Sequence, residues 1–214
     1  MKKLLILLVG FFSLYGAEIL PVLKSDKVLT DPSYYNKSIN KTINYKFIDS
    51  NLLNIAIFHH VNIERKKKGL SPLKYSNELS KFAEFHSDEM CQYEFTGHQD
   101  KDNNNFHERL VKHGLVGSIM SENCATSFGL EYNGGGRQIS FNGKGKFKDK
   151  GEPIKIRTYL GAAKNIVLNF MNSKGHRDNI LHKNLKSIGI GTSFYLNTKF
   201  NNMLTIKTTL LFKG

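Results

Sequence analysis

Apolar residues along this chain recur first at helical and then at strand spacing. In "NLLNIAIFHHVNIERKKKGL", Leu52, Ile55, Ala56, Val61 and Ile63 follow a helical pattern that ends at Gly69 after a basic last turn. Lys66–Lys68 read as that solvated turn, where cations are favoured by the helix dipole. "SNELSKFAEFHSDEMCQYEF" opens on Ser76, a good N-cap residue. Leu79, Phe82, Ala83, His86 and Met90 then recur at i, i+3, i+4, i+7 and i+11, an amphipathic helix with His86 on its apolar face as a core histidine. Shorter helices are predicted for "NNNFHERLVKHG", closed by Gly114, and for "TYLGAAKNIVLNFMNSKG", with Leu160, Ala163, Val167, Phe170 and Met171 inward. The chain ends in β-branched and aromatic residues split by "NTKFNN", which predicts a β-hairpin. Helices first and strands last give an α+β fold.

Three stretches fall outside this pattern. "MKKLLILLVGFFSLYGAEIL" carries two lysines, an apolar run from Leu4 to about Leu14, then Gly16 and Ala17. That is a secretory signal over residues 1–17, with an uncut N-terminal anchor as the rival reading. The run is short of the roughly 20 apolar residues a membrane span needs, and no span is expected in the mature chain. Residues 18–50 are polar and aperiodic, an N-terminal arm preceding a domain that covers 51–214. Residues 129–158 are rich in Gly and Lys and read as a long loop or short exposed hairpin inserted in that domain.

Export changes the reading of the cysteines. The expectation in an oxidising compartment is a disulfide between Cys91 and Cys124, stabilising by about 3.5 kcal/mol; two buried free thiols are the alternative. Localisation is read as secreted or periplasmic. A net charge of +13 favours anionic partners: a lipid surface, a cell-wall polymer or another anionic surface. No nucleic-acid-binding motif is present, and nucleic acid is not expected as a partner. "GKGK" and "GGGRQIS" lack the spacing of a phosphate loop, and neither a G-x-S-x-G elbow nor an H-E-x-x-H helix occurs.

The candidate chemistry lies in four acid–base residues beside structural punctuation: His98 in "FTGHQD", Glu108 in "FHERL", Glu122 in "SENCA" and His176 in "SKGHRDNIL". Singly, each has an ordinary structural reading, such as a Glu108–Lys112 pair on a helix surface. Together with "VNIERKKKGLSPLKYSNELSKFAEFHSDEM" and "FMNSKGHRDNILHKNLKSIGIG", they resemble the CAP/SCP superfamily of cysteine-rich secretory, venom-antigen and pathogenesis-related proteins. The resemblance runs from about Asn51 to the C-terminus. It departs where Phe170 replaces a frequent tryptophan, where 129–158 lengthens a usually short link, and where the eukaryotic cysteine-rich tail is absent.

The resemblance implies a three-layer α-β-α sandwich with a cleft lined by His98, Glu108, Glu122 and His176. Two imidazoles, His98 and His176, would hold a divalent metal, zinc above all, with the carboxylates as outer partners. The expected role is ligand binding or extracellular interaction. The alternative is a metal-dependent hydrolase of peptide, ester or cell-wall substrates, with Glu108 or Glu122 as the catalytic candidate and Ser121 or Ser173 as possible nucleophiles. The inserted segment is expected to border the cleft.

Overall fold

The structure is a computed structural model; it describes residues 18–20, 22–23, 32–115, 119–132, 139–141, 147–149, 152–200 and 202–214. The proposed signal at 1–17 lies outside the described residues. In chain order the elements are β1 (Glu18–Ile19), β2 (Val22–Leu23), α1 (Pro32–Ser38), β3 (Ile48–Asp49), α2 (Ser50–Lys67), β4 (Lys74–Tyr75) and α3 (Asn77–Gln92). There follow α4 (Phe106–Lys112), β5 (Met120–Phe128), β6 (Ile139–Phe141), β7 (Phe147–Asp149) and β8 (Glu152–Pro153). The chain finishes with α5 (Tyr159–Asn172), α6 (Lys174–Ile180), β9 (Ser187–Asn197), a 3₁₀ turn and β10 (Met203–Lys213).

The main sheet runs β1-β9-β10-β5, antiparallel throughout, with β4 added in parallel to β9. Successive strand residues point to opposite faces, and both faces of β9 and β10 are buried. One face presents Ile188, Ile190, Phe194, Ile206, Leu210 and Phe212 to α2 and α5, forming the larger core. The other presents Leu211 to Leu79, Phe82 and Ala83 of α3 and Leu110 of α4. This is the three-layer α-β-α sandwich.

Glycine sets the spacing of the second layer. A Cβ on Gly189 would lie 2.2 Å from the backbone carbon of Leu79, and one on Gly191 2.2 Å from the amide nitrogen of Glu84. The "IGIG" repeat therefore gives isoleucine to the α2 side and bare backbone to the α3 side, so α3 rests directly on β9.

Local sequence explains where the helices end. Ser76 caps α3 by accepting from the Leu79 amide, and Gly69 and Gly114 adopt φ of +70° and +68° just after α2 and α4. Asn62 exchanges hydrogen bonds with both the amide and the carbonyl of Leu73. The fully buried Arg65 donates to the carbonyls of Ser71, Ile180 and His182. Together they clasp the loop after α2 and the end of α6. Of the apolar residues in the α2 pattern Ile63 is 44% exposed, while Leu53 and Ile57, not named in that pattern, are buried.

The arm is built into the domain. β1 pairs with β9, and Leu20, Ile39, Ile43 and Ile48 join the core. The segment after Leu130 holds the antiparallel meander β6-β7-β8, so the hairpin reading is the nearer one. Its root is closed by pairing of Leu130 with Ile156 and by the hydrogen bond from the Arg157 amide to the Gly129 carbonyl. This root packs on Met203, at the opposite end of β5 from Glu122 and roughly 20 Å along the strand. The described root therefore does not border the residues singled out for the cleft.

The disulfide expected from the sequence is not formed. Cys91 and Cys124 are free and buried. Cys91 packs with Tyr195, whereas Cys124 sits opposite Thr209 beside Glu122. Burial first of all holds both thiols in their neutral form, Cys91 being pushed up to about 12. The free-thiol alternative is the correct one.

Candidate functional site

Three elements bring the site together at β5, an edge strand of the sheet. Glu122, in the third position of β5, points to the α3 and α4 side. Its carboxylate is almost wholly buried and accepts from both Nη1 and Nη2 of Arg109, at 3.1 and 2.8 Å. Arg109 is itself buried on α4, stacked 5.3 Å from the Phe82 ring, and Nη1 also donates to the His98 carbonyl at 2.7 Å. Burial alone would raise the Glu122 carboxyl. Hydrogen bonds from His98 and Arg109, together with the arginine charge, outweigh it and bring the carboxyl below its usual range.

His98 is the residue this arrangement serves. Its Nδ1 lies 3.0 Å from Glu122 Oε1, and its side chain is 53% exposed. A carboxylate partner places the hydrogen on Nδ1 in the neutral ring, leaving the Nε2 lone pair for something else. The hydrogen bond to Glu122, opposed by partial burial and reinforced by the carboxylate charge, raises the His98 pKa. The loop that carries His98 is rigid because Asp100 accepts from the Asp102 and Asn104 amides and from the Asn104 side chain.

His176 arrives from the other face. Asn123, next to Glu122, points opposite to it and donates to the His176 carbonyl at 3.0 Å. Asn179 locks this joint, its Nδ2 donating to Asn123 Oδ1 and to the Glu122 carbonyl. The His176 ring meets Phe170 edge-on at 5.2 Å, so the residue standing for the frequent tryptophan supports the site histidine. Burial, and then the nearby His98, lower the His176 pKa. The two imidazoles are thus close enough for the charge of one to act on the other.

Glu108 is placed differently. Its carboxylate accepts from the Asn105 amide while Asn105 accepts from the Glu108 amide, a capping box at the head of α4. Arg109, Asn123 and Asn179 were missed as site residues, although all three stand inside the quoted stretches "FHERL", "SENCA" and "SKGHRDNIL". His86, the expected core histidine, is fully buried and donates from Nε2 to the Gly97 carbonyl at 2.9 Å. It also lies with Glu122 and Cys124 in a buried group whose donor atoms are all within 4.8 Å. That group is a poor metal set, because the Cys124 thiol is held neutral and Glu122 already accepts from Arg109 and His98.

His98 presents the better metal donor. A carboxylate-oriented imidazole with its free nitrogen outward is the arrangement that metal-binding histidines use. Tyr93, Phe95, Thr96, Gln99 and Lys101 join His98 in lining a cleft of about 430 Å³, which Glu108, Glu122 and His176 do not line.

A sequence model of the CAP family, described as the cysteine-rich secretory protein family, matches residues 58–207. The chain belongs to the CAP family. Over 130 residues, 61% of this chain, it is 34% identical to the uncharacterized protein YkwD of Bacillus subtilis, and the match spans only 38% of that protein. Among solved structures, an outer surface protein of Borrelia burgdorferi is similar with a TM-score of 0.50, at 14% identity, over 81% of this chain and 98% of that one. An extracellular SCP-domain protein of Bacillus anthracis gives 0.48 at 18% identity, over 74% of this chain and 40% of that one. A cysteine-rich secretory protein of Staphylococcus aureus gives 0.45 at 19%, over 76% and 39%. These CAP neighbours are extracellular or surface proteins, and among the described residues no helix is long and apolar enough to cross a membrane.

Proposed function

We propose that this CAP domain acts outside the cytoplasm as a binding module whose cleft holds a divalent metal through His98 and His176. The observation that carries the reading is the Arg109–Glu122–His98 relay. A buried ion pair is spent on aiming one exposed imidazole. Zinc is the metal of choice for two neutral imidazoles, and when bound it would supply a Lewis-acidic centre for a ligand's oxygen donors. His98 and His176 would be its protein ligands, and Glu122 would keep the His98 tautomer fixed. The apolar, lysine-flanked leader at residues 1–17 supports export, in line with the surface location of the neighbouring proteins.

The state of the carboxylates favours binding over hydrolysis. A general base must be free to take a proton. Glu122 is committed to Arg109 and His98, and Glu108 to its capping box. Isothermal calorimetry with zinc on the parent and on the His98→Ala, His176→Ala double variant tests the reading. Loss of a single site in the variant is expected; equal binding by both proteins removes these histidines as ligands.

A further inference from the structure

Lys207 sits in the middle of β10, on the α3 side of the sheet, and is only 3% exposed. Its ammonium donates to Thr96 Oγ1 at 2.7 Å and to Thr126 Oγ1 at 2.9 Å, and it lies 5.7 Å from the centre of the Tyr195 ring. Both threonines are exposed, and their hydroxyl oxygens are 2.5 Å apart. Among the described residues no carboxylate pairs with Lys207; nearby Glu94 is bound to Lys199. Its direct hydrogen-bond partners are neutral oxygens; burial lowers its pKa, and the opposing effects of Cys91 and the Glu94 charge do not offset it. Proton accounting then leaves an outward donor. Each hydroxyl accepts from the ammonium, one donates to the other, and the remaining O–H has no hydrogen-bond partner among the described residues. Thr96 also lines the cleft that contains His98.

We infer that Thr96, Thr126 and Lys207 form an oxyanion site on the cleft wall, which takes a phosphate or carboxylate group of a ligand. The anion accepts the outward hydroxyl bond, and its charge compensates the ammonium behind the two threonines. Charge-assisted bonds of this kind are among the stronger polar contacts. The position is rigid: the His86 hydrogen bond pins the Gly97 carbonyl next to Thr96, and Thr126 is fixed in the ladder opposite Lys207. The site does not depend on a metal.

The test is an amide NMR titration of the full chain with inorganic phosphate, in the presence of a chelator so that the histidine pair plays no part. Saturable shifts at Thr96, Gly97 and Thr126 are expected in the parent, with at least tenfold weaker binding in Lys207→Met. Thr126→Val, which keeps the strand residue's shape and the lysine, should weaken binding in the same way and guards against a folding defect in Lys207→Met. A second arm uses phosphatidylglycerol against phosphatidylcholine vesicles. Lys207-dependent binding to the anionic vesicles alone identifies a lipid headgroup; phosphate shifts without vesicle binding identify a soluble ligand. Unsaturable shifts, or equal shifts in parent and both variants, overturn the site.

Discussion

Glu122 and Asn123 are consecutive residues on β5 that serve opposite faces of the sheet: one holds the His98 ring, the other the His176 carbonyl. Because β5 is an edge strand, groups from two layers otherwise separated by the sheet can approach one another around it. The brace beneath the first histidine is Arg109. Removing it by Arg109→Met leaves the buried Glu122 carboxylate without its cationic partner, beside His98 and the neutral Cys124 thiol. Breaking a buried pair from one side typically costs about 3–5 kcal/mol. Urea unfolding should show a loss of this size, and Arg109→Met combined with Glu122→Leu should recover part of it. A loss below about 1 kcal/mol would mean that water already reaches the pair.

The His98–Glu122 bond makes stability depend on pH in a defined sense. His98 titrates above its ordinary 6.5 in the folded chain, so its contribution is complete below pH 6.5 and is lost as pH rises through the folded value. Glu122 titrates below its ordinary 4.5, so its contribution is present above 4.5 and is lost as pH falls through the folded value. The pair therefore stabilises most between these limits. His176 works in the other direction, since its lowered pKa makes folding less favourable as pH falls below 6.5. The two are separated by comparing the parent with His98→Gln in metal-free buffer. The stability advantage of the parent should shrink between pH 5.5 and 8.5; a constant difference rules out the linkage.

The joint on the opposite face is neutral and should respond differently. Asn123→Ala removes the donor to the His176 carbonyl and the acceptor of the Asn179 amide. Each such bond is worth about 1 kcal/mol, so the stability loss should be near 2 kcal/mol. The more specific expectation is a broadened or shifted His176 imidazole signal with the His98 signal unchanged. Equal disturbance of both rings would show that the two faces are not independently held.

Periodicity made the helices legible, because the apolar residues of α3 and α5 repeat on one face, and it separated them from the closing β-hairpin. Arrangement across the chain was harder to read. The arm lacks a period, yet single residues such as Ile43 and Ile48 enter the core from irregular spacing. Glu108 had a local explanation in the Asn105-x-x-Glu108 spacing of a capping box, whereas its grouping with the histidines rested on resemblance. Asn123 became a site residue only through β5 register, which fixes the face it serves, and Arg109 only through the packing of α4 beside Glu122; no local pattern specifies either. Lys207 escaped for the same reason: in sequence it is one lysine among many, and its burial depends on pairing with Thr126.

The cysteines offer a direct check on the packing of α3 against the sheet. Both thiols are buried and held protonated, Cys91 up to about 12, and only a thiolate reacts readily. A thiol-disulfide reagent at pH 8 should leave the native protein unlabelled and modify both cysteines once it is unfolded in guanidinium. Labelling of neither after unfolding would mean that the two are joined after all.

The last expectation concerns the glycines that let α3 lie on β9. In Gly191→Ala the new Cβ would meet the Glu84 amide nitrogen at 2.2 Å and the Ala83 carbonyl carbon at 2.3 Å. These are backbone atoms, so no side chain can swing aside; the helix itself must lift. Overpacking usually costs about 1–3 kcal/mol, and displacement of a whole helix should put this variant at or above the top of that range. The shift would also disturb Ser87, whose hydroxyl donates to the Gly191 carbonyl. Gly175→Ala is the matched control, because nothing lies within 4 Å of a Cβ built there. Thermal unfolding of the pair decides the matter: a large loss for Gly191→Ala beside a small one for Gly175→Ala is expected, and equal losses would mean that close approach of α3 is not what the "IGIG" repeat provides.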